Sequence, residues 1–350
     1  MIYLDYQSTT PLAPEAFAAT EPWLRDNFAN PHSTHKAGRA AAAAVEFARD
    51  QVAGLLPPGG RVIFTSGATE ALNLAIKGCG LPVSAPATEH AAVLDCVEYL
   101  GGDVLGVDND GVLQSSPNKN AGLVCAMHVN NEIGVIHPIA DIAAAVHEAG
   151  GILLCDAVQS YGRIPLPAGP DMIAVSAHKI YGPKGIGALW VRDGIKLTPL
   201  MHGGGQEQGL RSGTLSPALC AGFGAAAAWA ARHMAADTAH IEALWDRALE
   251  LFAEWTINGS TARRYKGNLN IRRDGVDAAR LISECREVMF SAGSACASGS
   301  GRTSHVLRAI GLSDAQAKSS VRLGWGRYTS MHELEEAAHM INAAAERQIA

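Results

Sequence analysis

The stretch GILLCDAVQSYGRIPLPAGPDMIAVSAHKIYGPKGIGALWV (151–191) holds three short apolar runs, ILLCDAV, MIAVSA and GALWV, set apart by turn-rich sequence. Continuous apolar runs of this length read as strands buried on both faces. The same kind of run recurs upstream, each time followed by an Ala-rich helical stretch. RVIFTS (61–66) precedes ATEALNLAIKG (68–78), and LVCAMHV (123–129) precedes IADIAAAVHEAG (139–150). Strands alternating with helices predict an α/β fold with a mostly parallel central sheet and helices on both faces. Such folds place their chemistry outside the carboxyl ends of the strands. Asp156 closes the first of the three runs, and Ser176, His178 and Lys179 stand where the second ends.

From about Asp237 the texture changes. DTAHIEALWDRALELFAEWTI (237–257) is one long helical stretch, followed by Asn258-Gly259, by shorter strands and helices, and by an amphipathic helix near 331–348. This predicts a large α/β domain over 12–236 and a smaller α+β domain built from 1–11 and 237–350, joined by the long helix. The uncharged stretch LSPALCAGFGAAAAWAA (215–231) contains a Pro and is stopped by Arg232, which favours a buried helix over a membrane span.

With 350 residues, 48% of them hydrophobic and 18% charged, the chain can bury one large core and a second smaller one. A formal charge of −6 and no basic run leave no electrostatic footprint for direct nucleic-acid binding. The segment MIYLDYQSTTPLAPE (1–15) lacks the basic-then-apolar pattern of a secretory leader, so the cytoplasm is the expected compartment. Seven cysteines, an odd number without a C-x-x-C pair, suggest neither a disulfide framework nor a zinc site. Cys125 and Cys155, inside apolar runs, read as small core residues.

Lys179 would ordinarily be a solvated lysine, but its neighbours are small residues and glycines that let backbone approach closely. Burial lowers an amine from its usual ~10.4 and makes it a better nucleophile. A buried lysine and an upstream carboxylate are the two protein groups that pyridoxal 5′-phosphate requires. Lys179 would bond the aldehyde carbon, and Asp156 would keep the pyridine nitrogen protonated so that the ring accepts electrons.

Other residues fall into place around that pair. VIFTSGATEALNLAI (62–76) is a strand, a Gly-containing turn and a helix start. It offers backbone N–H groups at Gly67, Ala68 and Thr69 to a phosphate, although the same pattern also serves as an ordinary cap. GPKGIG (182–187) lacks the end of a P-loop, and no G-x-G-x-x-G follows a strand. Ser176 and His178 can donate to a phosphate. His90 opens a helical stretch, where a lone His is ordinarily a surface residue; beside a bound ring it can stack and move protons. Gln159, three residues after Asp156, could reach a ring hydroxyl, but an isolated Gln carries no signal of its own. Arg322 is a candidate bidentate clamp on a substrate carboxylate, whereas Arg327 reads as structural. Cys296, in SAGSACASGSGRTSH (291–305), has no apolar neighbours to pack it and reads as an exposed, reactive thiol on a loop.

Ten strings in order carry a resemblance: YLDYQSTTP, NPHSTHKAGR, FTSGATEALNLAIKG, TEHAAVLD, MHVNNEIGV, CDAVQS, SAHKIYGPKGIGAL, MHGGGQEQGLRSGTL, SAGSACAS and SSVRLGWGRYT. The chain resembles the cysteine desulfurases of the iron–sulfur cluster and nitrogenase branch, within the class V aminotransferase group and its fold-type I pyridoxal-phosphate architecture. The resemblance implies that Lys179 bears the cofactor and Asp156 pairs with its ring nitrogen. His90 would stack on the ring as acid or base, and Gln159 and Asn131 would hold the ring hydroxyl region. Ala68, Thr69, Ser176 and His178 would bind the phosphate, with Thr214 supplied by the other subunit of a homodimer. Arg322 and Asn131 would hold the carboxylate of L-cysteine. Cys296 would take the sulfur as a persulfide, leave L-alanine, and pass the sulfur to an acceptor such as an iron–sulfur scaffold or sulfur-relay protein. Cys296 would then be able to ligate a cluster transiently with such a scaffold, and no resident metal is implied.

Two departures accompany the match. SSPNKNAGLV (115–124) is shorter than the family's usual helix and strand, and the sequence stops at Ala350 soon after its last helix, which bears on a scaffold-docking surface. Two rival readings share the fold: a selenocysteine lyase, and an inactive sulfur-relay or scaffold subunit. Intact Lys179, Asp156, His90 and Cys296 speak against the second.

Overall fold

The computed structural model describes residues 1–113, 122–292 and 303–350. Strand β1 (Ile2–Tyr3) leads into helices α1 (Pro14–Arg25) and α2 (Lys36–Ala53). There follow β2 (Gly60–Thr65), α3 (Ala68–Cys79), β3 (Val83–Pro86), α4 (Ala91–Leu100), β4 (Asp103–Leu105), β5 (Leu123–Met127) and α5 (Ile139–Glu148). Three strands, β6 (Ile152–Asp156), β7 (Met172–Ser176) and β8 (Gly187–Arg192), then precede the long α6 (Pro217–Leu251). The remainder is β9 (Thr256–Ile257), β10 (Asn268–Arg272), α7 (Ala278–Glu284), β11 (Val288–Met289), α8 (His305–Ala309), α9 (Asp314–Lys318), β12 (Ser320–Gly324) and α10 (Met331–Ile349).

Seven strands form one sheet in the order β2-β8-β7-β6-β5-β3-β4. All neighbours are parallel except β8, which runs antiparallel to both β2 and β7. The apolar runs are continuous because both faces are covered. On β5, Val124 and Ala126 point to a core shared with α1, α2, α5 and α6, while Leu123 and Cys125 point to a second core under α3 and α4. On β7, Ile173 and Val175 take the first face and Met172 and Ala174 the other. This two-residue alternation is the pleat of a strand, and it yields the mostly parallel, doubly covered sheet that the sequence predicts.

The two helical stretches read separately at 215–231 and 237–257 join in the single 35-residue α6, so the expected domain boundary at 236–237 falls inside a helix; the second stretch is shorter than the sequence predicts, since α6 ends at Leu251 and Thr256–Ile257 is strand β9. Ser216 caps its start by accepting from the Leu219 N–H at 3.3 Å, and Pro217 occupies its first turn. Its early residues Cys220, Phe223, Ala226 and Ala227 pack against the large sheet. Its later residues Ile241, Leu244, Trp245 and Ala248 join a separate core with α7, α10 and the antiparallel sheet β12-β10-β9. No helix among the described residues is long and apolar enough to cross a membrane. Cys125 and Cys155 are fully buried on their strands.

Candidate active site

Met127, Asp156 and Ser176 end β5, β6 and β7, and Gly187, at the start of antiparallel β8, pairs with both Ser176 and Thr65. The strands therefore deliver their termini to one edge of the sheet, where a cavity of about 590 Å³ opens. That is the size of a small-molecule site. Ala68, Thr69, Ser176 and His178 are among the residues that line it. His90, Asp156, Gln159, Lys179, Asn131 and Arg322 line it too. Thr214 is exposed and is not part of this wall. Cys296 lies outside the described residues.

Lys179 sits in a single helical turn, Ala177–Lys179, directly after β7. Its Nζ donates to the Ser8 carbonyl at 2.7 Å and to the Gln7 carbonyl. Burial, reinforced by the Arg163 and Arg322 guanidiniums, pulls the amine down to about 7 from its ordinary value. An amine near neutrality is an available nucleophile at physiological pH.

Among the described residues no side chain caps α3, whose first residues line the cavity, so its first N–H groups and dipole are available there. The turn is held from outside: Glu70 accepts from the Ser66 N–H at 2.7 Å and pairs with Arg211 at 2.8 Å. Gly187 lets β8 pass beneath this turn, since a Cβ there would lie 2.7 Å from the Gly67 carbonyl carbon. His178 Nδ1 is 3.1 Å from Thr9 Oγ1. Burial, followed by Lys179 and Lys184, drops this imidazole to about 4, so it stands neutral and can donate without repelling its cationic neighbours.

Asp156 accepts from the Val158 N–H at 2.9 Å. Burial raises its pKa, against the pull of that N–H, of His90 and of Lys179. A buried carboxylate that forms no direct ion pair among the described residues is a ready seat for a protonated ring nitrogen. His90 caps α4, its Nδ1 accepting from the Ala92 N–H at 3.1 Å. That bond fixes the tautomer, leaving Nε2 to carry the exchangeable proton. Gln159 is already engaged, donating to the Gln7 carbonyl at 2.9 Å and accepting from Arg163 at 3.0 Å, which locks its amide orientation.

Arg322, almost wholly buried on β12, donates to the Asn131 carbonyl at 2.9 Å and to Asp5 at 2.7 Å. Its Nε has no partner among the described residues. With the second N–H of each terminal nitrogen, it is not taken up by these two partners, which leaves donors for an anionic ligand.

Sequence reasoning missed several contributors. Arg163 grips the Lys179 carbonyl, and fully buried Glu89, one residue before His90, supports the Met127 N–H at 2.5 Å. Asp5, Gln7 and Ser8 come from the first strings of the chain. Those residues stood inside YLDYQSTTP and TEHAAVLD and were open to notice; Arg163 carried no local signal, because its partners come from distant segments. The donor set fits pyridoxal 5′-phosphate: a depressed amine, a buried carboxylate, an uncapped helix start and an arginine with a spare N–H.

The chain matches the family Aminotransferase class-V over residues 2–336. It is 41% identical over 368 aligned positions to "Cysteine desulfurase IscS" of Rickettsia rickettsii (strain Iowa), covering 97% of this chain and 90% of that protein. Among solved structures it resembles a NifS-like protein from Rickettsia africae ESF-5, with a TM-score of 0.92 and 28% identity over 99% of both chains. It also resembles "SspA in complex with cysteine", with a TM-score of 0.83 and 33% identity over 94% of this chain and 100% of that one.

Proposed function

The chain belongs to the class-V aminotransferase family, and from that membership and the furnishing of its cavity we propose that it is a pyridoxal 5′-phosphate-dependent cysteine desulfurase. It converts L-cysteine to L-alanine and hands the sulfur on as a persulfide. The observation that carries this reading is the Lys179 amine, depressed to about 7, sharing one cavity with the buried Asp156 carboxylate and the uncapped start of α3.

When bound, the cofactor supplies an aldehyde that takes up the amino acid's nitrogen and a ring that draws electrons from its α carbon. Lys179 would hold that aldehyde carbon between turnovers, Asp156 the ring nitrogen, and Ala68, Thr69, Ser176 and His178 the phosphate. Gln159 and Asn131 would hold the ring hydroxyl region. The N–H groups of Arg322 not taken by Asp5 and Asn131 would take the substrate carboxylate, with Asn131 fixed beside it. His90 exchanges protons at Nε2. The Cys296 thiolate bonds to the substrate sulfur as the carbon–sulfur bond of L-cysteine breaks; the products are Cys296–S–SH and, once carbon gains a proton, alanine.

The reading takes residues 12–236 as the cofactor-binding domain and 1–11 with 237–350 as the smaller one, supported by the change of core along α6. It takes the working unit as a homodimer, supported by the exposure of Thr214 away from its own cavity. The sulfur acceptor is taken to be an iron–sulfur scaffold or relay protein in the cytoplasm. Incubating the holoprotein with L-cysteine tests the whole: alanine should appear with a one-sulfur mass gain on the peptide holding Cys296. Alanine without that gain would favour a lyase, and no alanine at all would overturn the proposal.

A further inference from the structure

We infer that Arg163 is a positioning residue that locks the backbone at Lys179 and sets an unneutralised positive charge behind its amine, an inference that rests on Lys179 being the cofactor-bearing lysine. Arg163 lies in the turns after β6 and is buried. Its Nε and Nη2 both donate to the Lys179 carbonyl, at 3.0 and 2.6 Å. Nη1 donates to Gln159 Oε1 at 3.0 Å, and Nη2 also reaches the Tyr6 carbonyl at 3.0 Å. One guanidinium thus joins the lysine turn, a cavity-lining amide and the N-terminal segment. The next carbonyls of that segment, Gln7 and Ser8, receive the Lys179 Nζ. Arg163 therefore holds the backbone of Lys179 directly and, through the Tyr6 carbonyl, the segment whose next carbonyls receive its amine.

Every one of these acceptors is neutral. Among the described residues no carboxylate forms an ion pair with Arg163; the Tyr265 ring lies 5.7 Å from its guanidinium, with the phenol in hydrogen-bonding reach. A guanidinium cannot shed its proton, so the charge persists in a medium that screens it weakly. Around the Lys179 amine, Arg163 and Arg322 oppose protonation, Asp5 and Asp156 favour it, and His178 beside it stands neutral. Arg163 has the largest effect of these charged neighbours, second only to burial itself. Arg322 is partly cancelled by Asp5; Arg163 is not.

The test is competitive acetylation of the full-length chain freed of cofactor, followed against pH on the peptide holding Lys179. In the unaltered chain the amine should titrate near 7 and hold that value from low to high salt, because a buried charge escapes screening. Arg163→Gln should raise the midpoint by about one unit or more and cut labelling at pH 7 about fivefold. Arg163→Lys, which keeps the charge, should stay near the unaltered value. An unaltered chain titrating near ~10, an Arg163→Gln profile that overlays it, or an Arg163→Lys shift as large as that of Gln would each overturn the inference. Should Arg163→Gln fail to fold, Arg163→Met, which also removes the charge, is read in its place, with a raised midpoint expected and an overlaying profile overturning the inference. Labelling needs no turnover. A shifted Lys179 without alanine formation would sink the desulfurase reading alone, and alanine formation with an unmoved Lys179 would sink the role of Arg163 alone.

Discussion

Arg322 and Asp5 form an ion pair of 2.7 Å in the cavity wall, and the pair decides which donors Arg322 has to spare. Asp5 takes one N–H of one terminal nitrogen and the Asn131 carbonyl one of the other, so Nε and a second N–H on each terminal nitrogen are left over. Asp5→Asn leaves a nearly inaccessible cation without its counter-charge. Removing one member of a buried pair costs about 3 kcal/mol. The variant should unfold at lower denaturant and show a raised KM for L-cysteine with kcat less affected. An unchanged KM would mean that Arg322 is not the carboxylate clamp.

Gly187→Ala should loosen the cofactor before it loosens the fold. The new Cβ would sit 2.7 Å from the Gly67 carbonyl carbon and equally close to the Val175 carbonyl oxygen. Both obstacles are backbone, so the turn that begins α3 must move. Such overpacking costs about 1–3 kcal/mol. Spectroscopic titration with pyridoxal 5′-phosphate should give a Kd raised about tenfold or more; an unaltered Kd would remove this turn from the phosphate site.

The buried pair His128 and His137 predicts an acid-sensitive term in stability. Burial holds both near 4, and neither ring nitrogen of His137 has a partner among the described residues. In the unfolded chain each takes a proton near 6.5. Between those values the unfolded chain binds more protons, so their contribution is present above 6.5 and is lost as pH falls towards 4. Glu89 and Asp156, raised by burial, act in the opposite sense, so the difference between the chain and a variant is the clean measure. Urea unfolding at pH 7 and pH 4.5 should show His137→Gln losing about 2 kcal/mol less than the unaltered chain. Parallel losses would contradict the assignment.

Cys296→Ala separates sulfur transfer from cofactor chemistry. The variant should bind the cofactor and L-cysteine with unchanged spectra, yet lose alanine formation by about a hundredfold or more. If it instead releases selenide from selenocysteine at an undiminished rate and never depended on the thiol for cysteine, the lyase reading takes over.

The sheet and its contents were legible to different depths. Period-free apolar runs announced strands covered on both faces, and Asp156 and Lys179 could be read as a pair because each closes its own run. That β8 turns antiparallel was not legible, since a buried run such as GALWV looks the same in either direction. Nor was the continuity of α6: its early turns are Ala- and Gly-rich because they pack tightly on the sheet, and its later turns are amphipathic because they serve a second core. Within the site, residues inside dense motifs were found. Arg163 was not, because its importance comes from carbonyls that only folding brings to it.

The central claim is that one amine, that of Lys179, carries the cofactor. Borohydride reduction of the purified holoprotein, followed by peptide mass mapping, tests it most directly. The account predicts the pyridoxyl mass on the peptide holding Lys179 and on no other. A protein that still turns L-cysteine into alanine while that peptide stays unlabelled would contradict it.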